Sequence, residues 1–403
     1  MNASERLHVR PGLAALTGWV MFVAMLGLGG CTVAPVVPPP PAHLFDDTLF
    51  AAPSEPPRAD AIFALSDAMK RYVEQDIAGP LRSKGPQRGL LEALYSKGQL
   101  KLDYDSVRTR NAAEAFEARS GNCLSLVIMT AAFAKHLGLP VRYQSVYTDA
   151  TWTRSGNLYF SSNHVNLALE HRATDARVGV DTDRAWTVDF LPPEDVRGQR
   201  TRVISEATVV AMYMNNRAAE ALAGGQLNDA YAWGREAIRQ SPAFLSAYNT
   251  LAVTYLRRGH PQHAAQLLRH VLQREPDNTI ALSNLARTLG ELGQVTEAAQ
   301  LAQRLNKVEP HPPFHFFDLG LAALQAGQFE SARELIGKEI KRAAYHHEFH
   351  FWLAVANIGL GDKSAARRHL ILAKENSTTF DDKALYSAKL ERINALRLPT
   401  IMR

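Results

Sequence analysis

Residues 119–146 read RSGNCLSLVIMTAAFAKHLGLPVRYQSV. Gly121 interrupts the helical stretch before it, and Asn122 has the short amide side chain that closes a first helical turn. Leu124, Val127, Ile128 and Ala131 then recur on one buried face until Gly138 and Pro140 end the pattern. Strand-like segments follow from Val141 to Thr148, Leu158 to Glu170 and Val178 to Phe190, with turn residues between them. Upstream, helical periodicity begins at Asp60, with Ile62, Leu65, Met69 and Tyr72 on one stripe. Further helical stretches run around Leu90 to Tyr95 and from about Ala112 to Arg119. Helices first and antiparallel strands afterwards describe an α+β domain.

Cys123 stands at the start of the apolar helix, and the only other cysteine in the chain is Cys31. A thiol there lies in the positive end of the peptide dipole, where unpaired N–H groups favour the thiolate. The alternative is a small apolar core residue, which an arbitrary cysteine usually is. A base and an orienting group decide between the two. His136 is thirteen residues along the same helix, about 20 Å away at 1.5 Å per residue, and is out of reach. In SSNHVNLALEH (161–171), Val165, Leu167 and Leu169 alternate onto one face and leave His164 and Asn166 on the other. In AWTVDFLPP (185–193), Asp189 falls opposite Val188 and Phe190. A hairpin through Arg172 to Arg177 would bring Asp189 near His164; the register stays open, and Asp181 or Asp183 could substitute. Cysteine, histidine and carboxylate together make an acyl-transfer device: the thiolate attacks a carbonyl, the imidazole relays the proton, and the carboxylate fixes the ring. The Cys123 N–H could supply part of an oxyanion hole.

These stretches resemble the transglutaminase-like superfamily. Gly121-Asn122-Cys123 looks like the start of its nucleophile helix, Gly138-Leu139-Pro140-Val141-Arg142 like the lead into the next strand, Asn163-His164-Val165 like its histidine strand, and Trp186 to Asp189 like its aspartate strand. The resemblance covers about residues 86–195 and implies a papain-like cysteine-protease fold with Cys123 as nucleophile, His164 as base and Asp189 as orienter. It also implies hydrolysis of peptide or amide bonds rather than crosslinking, with no cofactor.

From Ala211 onward the chain repeats itself. Gly225, Gly259, Gly293, Gly327 and Gly361 recur every 34 residues, as do Ala230, Ala264, Ala298, Ala332 and Ala366. A third column is Ala218, Ala252, Ala286, Gly320 and Ala354; a fourth is Pro242, Pro276 and Pro310, lapsing to Ala344 and Thr378. Small residues let paired antiparallel helices approach closely, and a proline closes one pair before the next. Five such units resemble tetratricopeptide repeats. Asn215, Asn249 and Ser283 fall at one lining position of the groove such arrays present, with Arg287 and Phe317 nearby, so these are candidate partner-binding residues for an extended peptide. His346 and His350 are four apart, a spacing that can hold a metal on a helix, but a third ligand is lacking and no metal site is expected.

The first thirty residues follow another logic. Arg6 and Arg10 precede an apolar run from Gly12 to Gly30 that ends in Leu28-Gly29-Gly30-Cys31. This is an export signal in outline, and its end resembles the lipobox of bacterial lipoproteins, which implies lipidation of Cys31. The run is also long enough to be a simple membrane anchor. Thr32 stands where, in the enterobacterial pattern, Asp would favour the inner membrane, which points to the outer membrane. Proline-rich stretches after it read as a spacer. A net charge of +5 on 403 residues without a basic and aromatic stripe argues against nucleic acid.

The expected organisation is therefore a signal peptide (1–30), a tether (31–58), an α+β domain (59–200), an all-α superhelix (211–382) and a C-terminal helix or tail (383–403). A periplasm-facing, lipid-anchored thiol enzyme acting on a protein or peptide substrate brought in by the repeats is the first functional expectation. A non-catalytic envelope scaffold that binds proteins through its repeats is the second.

Overall fold

Five short helices precede the first long strand: α1 (Asp67–Arg71), which runs on as a π-turn over Tyr72–Asp76, α2 (Ala78–Lys84), α3 (Pro86–Tyr95), α4 (Ala112–Ala118) and α5 (Cys123–His136). This arrangement comes from a computed structural model that describes residues 38–95, 102–105, 108–155, 158–170, 185–190, 200–377 and 379–395. The signal peptide, Cys31, Asp181 and Asp183 lie outside the described residues.

Helix α5 is the axis of the first domain. Asn122 caps it, and every residue from Leu124 to Ala134 is buried. A helix apolar on all sides belongs at the centre of a core rather than on its surface. Gly138, at φ +68°, takes the left-handed conformation that stops it. Two-residue strands β1 (Asp103–Tyr104) and β2 (Ser120–Gly121) pair in parallel just before its start.

Four strands form an antiparallel sheet in the order β5-β4-β3-β6: β3 (Val141–Ser155), β4 (Leu158–Leu169), β5 (Trp186–Val188) and β6 (Arg200–Ile204). Val165, Leu167 and Leu169 of β4 share one core with α5. Only three residues of the expected third strand are paired, and the edge strand β6 was not expected at all. It pairs Tyr143 with Ile204 and leads through the cap Ser205 straight into the next helix.

The repeat array follows as helix pairs: α6 (Glu206–Ala223) with α7 (Leu227–Gln240), α8 (Leu245–Arg258) with α9 (Pro261–Arg274), α10 (Thr279–Glu291) with α11 (Val295–Val308), α12 (His315–Gln325) with α13 (Phe329–Arg342), and α14 (His347–Gly359) with α15 (Lys363–Glu375). A last helix, α16 (Phe380–Ala395), packs on α15. The periodic glycines sit in the turn inside each pair, all at positive φ between +72° and +87°. Ala218, Ala252 and Ala354, like Ala230, Ala264, Ala332 and Ala366, are fully buried. At Gly320 a side chain would strike Ile336, whose Cγ1 is 2.6 Å from where its Cβ would be. The fold is thus an α+β domain with a small antiparallel sheet, followed by an all-α repeat region.

Two expectations are corrected. The boundary between domain and repeats is not a linker, because one hydrophobic core runs from Leu44 through α5 and the sheet to Leu289 in α10. The interruption lies later: α11 buries no residue, α11 and α12 barely touch, and a second core begins at Phe314. Nor is the proline-rich stretch a free spacer along its whole length. Leu44 is buried, Phe50 stacks on Tyr231 with ring centroids 3.9 Å apart, and the Asp46 N–H donates to the Tyr255 hydroxyl at 2.8 Å. Ser54 donates through both N–H and hydroxyl to Asp229, at 2.6 and 2.8 Å. Residues 42–55 are a strap laid on the first two repeats, and the proline-rich composition hid it because these contacts come from the few residues between the prolines.

Candidate active site

Cys123 is the first residue of α5, partly buried and not in a disulfide. The Asn122 carboxamide oxygen accepts from the N–H and the hydroxyl of Ser125, both at 2.9 Å, and so fixes the first turn beneath the sulfur. Gly121 is required there: a Cβ at that position would lie 2.7 Å from the Ser125 Cβ. The Gly-Asn-Cys order therefore has a steric and a hydrogen-bonding reason before any chemical one.

His164 lies on β4 and is 4% exposed. Its Nε2 is 2.5 Å from Asp189 Oδ1. The ring also hydrogen-bonds with the side chain of Cys123. Since Nε2 is committed to Asp189, Nδ1 is the nitrogen left for the sulfur. Burial works against the imidazolium, but the Asp189 and Cys123 interactions outweigh it and the pKa is pushed up to about 9. The charged ring is accordingly the form held at neutral pH.

The strand register explains how a carboxylate reaches this ring. Leu167 pairs with Val188 and Leu169 with Trp186, so Asp189 emerges one residue past β5, across from Asn166. The other neighbour contributes too. β3 pairs Val146 with His164, and the ladder then slips before resuming at Thr151 and Ser162. Such irregularities commonly re-aim a side chain beside a site.

Asn166 is a residue that sequence reasoning left out of the site. It is buried, and its Nδ2 donates to Asp189 Oδ2 at 2.8 Å, so both carboxylate oxygens are held. The signal was visible, as Asn166 shares the polar face of β4 with His164, but its partner depended on the register.

The repeat residues divide. The Oδ1 atoms of Asn215 and Asn249, on α6 and α8, have no hydrogen-bond partner among the described residues. Arg287, on α10, is exposed. Phe317 is fully buried between Phe314 and Phe349 in the second core and cannot line a groove; its column position faces inward. Among the described residues no group of three histidine, cysteine or acidic side chains could hold a metal. His350 instead bonds the Ala344 carbonyl at 2.8 Å and meets His369 at 3.2 Å.

Comparison with known proteins agrees with this division. The transglutaminase-like superfamily model matches residues 75–188, and two tetratricopeptide-repeat models match residues 255–315 and 317–376. Among solved structures, a thermophilic TPR protein of Thermus thermophilus is 18% identical, over 45% of this chain and 99% of that one, at a TM-score of 0.29. MamA from Desulfovibrio magneticus RS-1 is 18% identical, over 38% of this chain and 84% of that one, at 0.24. Neither likeness bears on the site. No curated protein matches the chain.

Proposed function

Since the chain joins a transglutaminase-like domain to tetratricopeptide repeats, we propose that it is a thiol-dependent acyl-transfer enzyme acting on peptide or protein amide bonds. The observation that carries this is one imidazole, that of His164, held by Asp189 at 2.5 Å and hydrogen-bonded with Cys123 at a helix start. In this reading the Cys123 thiolate forms a C–S bond to the amide carbon, and the Cys123 N–H supports the developing oxyanion. The imidazolium gives its proton to the departing amine as the C–N bond breaks. Water then attacks the thioester, its proton passes to His164, and the thiolate leaves. Asp189, fixed by Asn166, keeps the ring oriented throughout.

Hydrolysis is the proposed outcome rather than crosslinking, in line with the resemblance of the nucleophile and histidine strands. Tetratricopeptide repeats are protein-interaction modules, and the unpartnered carboxamide oxygens of Asn215 and Asn249, with Arg287, are the proposed contacts for an extended peptide substrate or partner. The Leu28-Gly29-Gly30-Cys31 pattern supports a lipid anchor at Cys31 and a periplasm-facing position, at the outer membrane in preference to the inner.

Alkylation by iodoacetamide, followed by intact mass, tests the reading. Cys123 should be labelled quickly at neutral pH, and His164→Ala should slow labelling at least about tenfold by removing the imidazolium. Equal rates in the two proteins would leave a tethered adaptor that binds through its repeats and catalyses nothing.

A further inference from the structure

We infer that Asn216 and Glu220, on the first repeat helix, are positioning residues for Cys123, an inference that rests on Cys123 being the nucleophile. Thr109 connects them to it. Its N–H donates to Glu220 Oε1 at 2.7 Å, and its hydroxyl also bonds the Glu220 side chain. The same hydroxyl oxygen accepts from Asn216 Nδ2 at 3.2 Å and from Asn122 Nδ2 at 2.9 Å. One donor and two acceptor sites are all a hydroxyl has, so Thr109 is fully satisfied, and three of its four bonds go to Asn216 and Glu220 of α6. Thr109 itself is 1% exposed, where a lost partner is not replaced by water.

Asn122 receives the consequence. With its nitrogen tied to Thr109, its oxygen is turned onto the Ser125 N–H and hydroxyl. The Arg110 N–H closes the ring by donating to Ser125 Oγ at 2.8 Å. Cys123 is the next residue after that cap. The sulfur's position against His164 therefore depends on a cap that α6 braces from behind. Glu220 is braced in turn by Arg217 at 3.4 Å, whose other nitrogen meets Glu55 of the N-terminal strap at 3.5 Å. Helix α6 is thus a structural part of the nucleophile's setting as well as the first member of the array. Anything that tilts it moves the cap.

Iodoacetamide alkylation of the full chain tests this with four variants. Glu220→Ala removes the acceptor of the Thr109 N–H and should slow labelling of Cys123 about tenfold, as small displacements of a reacting group do. Glu220→Gln keeps an acceptor oxygen and should stay within about twofold of the parent, a rescue that mere helix stability would not produce. Asn216→Ala should slow labelling too, but add little on top of Thr109→Val, because both act through one hydroxyl. Melting temperatures accompany each rate. If Glu220→Ala does not fold, the Asn216 and Thr109 pair decides. Parent-like rates in folded Glu220→Ala and Asn216→Ala, or full additivity with Thr109→Val, overturn the inference. His164→Ala in the same series separates the two levels: an unchanged rate there removes the nucleophile reading, and the positioning inference with it, whereas a slowed rate with unaffected α6 variants removes the positioning inference alone.

Discussion

His164 is the residue on which charge, geometry and chemistry meet. Its folded pKa of about 9 lies above the ordinary value of a histidine. A group raised on folding adds stability that is complete below its unfolded pKa, near 6.5, and is lost as pH rises through the folded value. The melting temperature should therefore fall between about pH 6.5 and 9 through this group, and His164→Ala should flatten that part of the curve; identical curves would contradict the assignment. Turnover of an amide should drop as pH passes about 9, because the leaving amine loses its proton donor, while alkylation of Cys123 needs no such proton and should not drop. Asn166→Leu frees one oxygen of Asp189 and should lower turnover about tenfold or more, with little change in alkylation. Parent-like turnover in that variant would remove Asn166 from the site. The cysteine and the histidine were legible because each is the polar exception in an apolar pattern. The aspartate was legible only as one of three, since pairing of Leu167 with Val188 is set by tertiary contact and nothing local encodes it. Phe317 misled for the opposite reason: a repeat column gives an angle around a helix, and the break in the array before α12 turned that angle into the second core.

At the scale of elements, the repeats were readable because each column has a steric cause. Gly259, at φ +87°, is in a region that costs any other residue about 1–2 kcal/mol. Gly259→Ala should therefore lower stability by that amount in denaturant unfolding, and no loss would mean the turn is not left-handed. The helix from Cys123 was equally legible from its cap, its apolar run and its glycine stop. Strands β5 and β6 were not. A three-residue edge carries too few positions for an alternation to register, and β6 has Arg200, Arg202 and Val203 exposed, so its pattern is that of a loop.

The whole molecule divides where its cores divide. Six consecutive residues of α6, from Val209 to Met214, are buried. Exposing the larger of them would cost about 1.5–3 kcal/mol each, which approaches the whole stability of a domain. A chain ending at Ile204 should consequently not fold, although sequence patterning alone would place a domain boundary there. Brief digestion with a broad-specificity protease should instead cut first between residues 307 and 314, where the chain is mostly exposed and the two cores part. First cleavage near Ser205 would contradict a shared core. Repeats and catalytic domain are then one body as far as α10, and the helices from α12 onward form a second arm with its own core. Everything proposed for this body rests on Cys123 forming a covalent acyl intermediate, and that is directly measurable. Rapid mixing with a peptide p-nitrophenyl ester, quenching in acid and intact mass should reveal a thioester on Cys123 that forms and decays in the parent and persists far longer in His164→Ala. No adduct at Cys123, or the same adduct in Cys123→Ser, would contradict it.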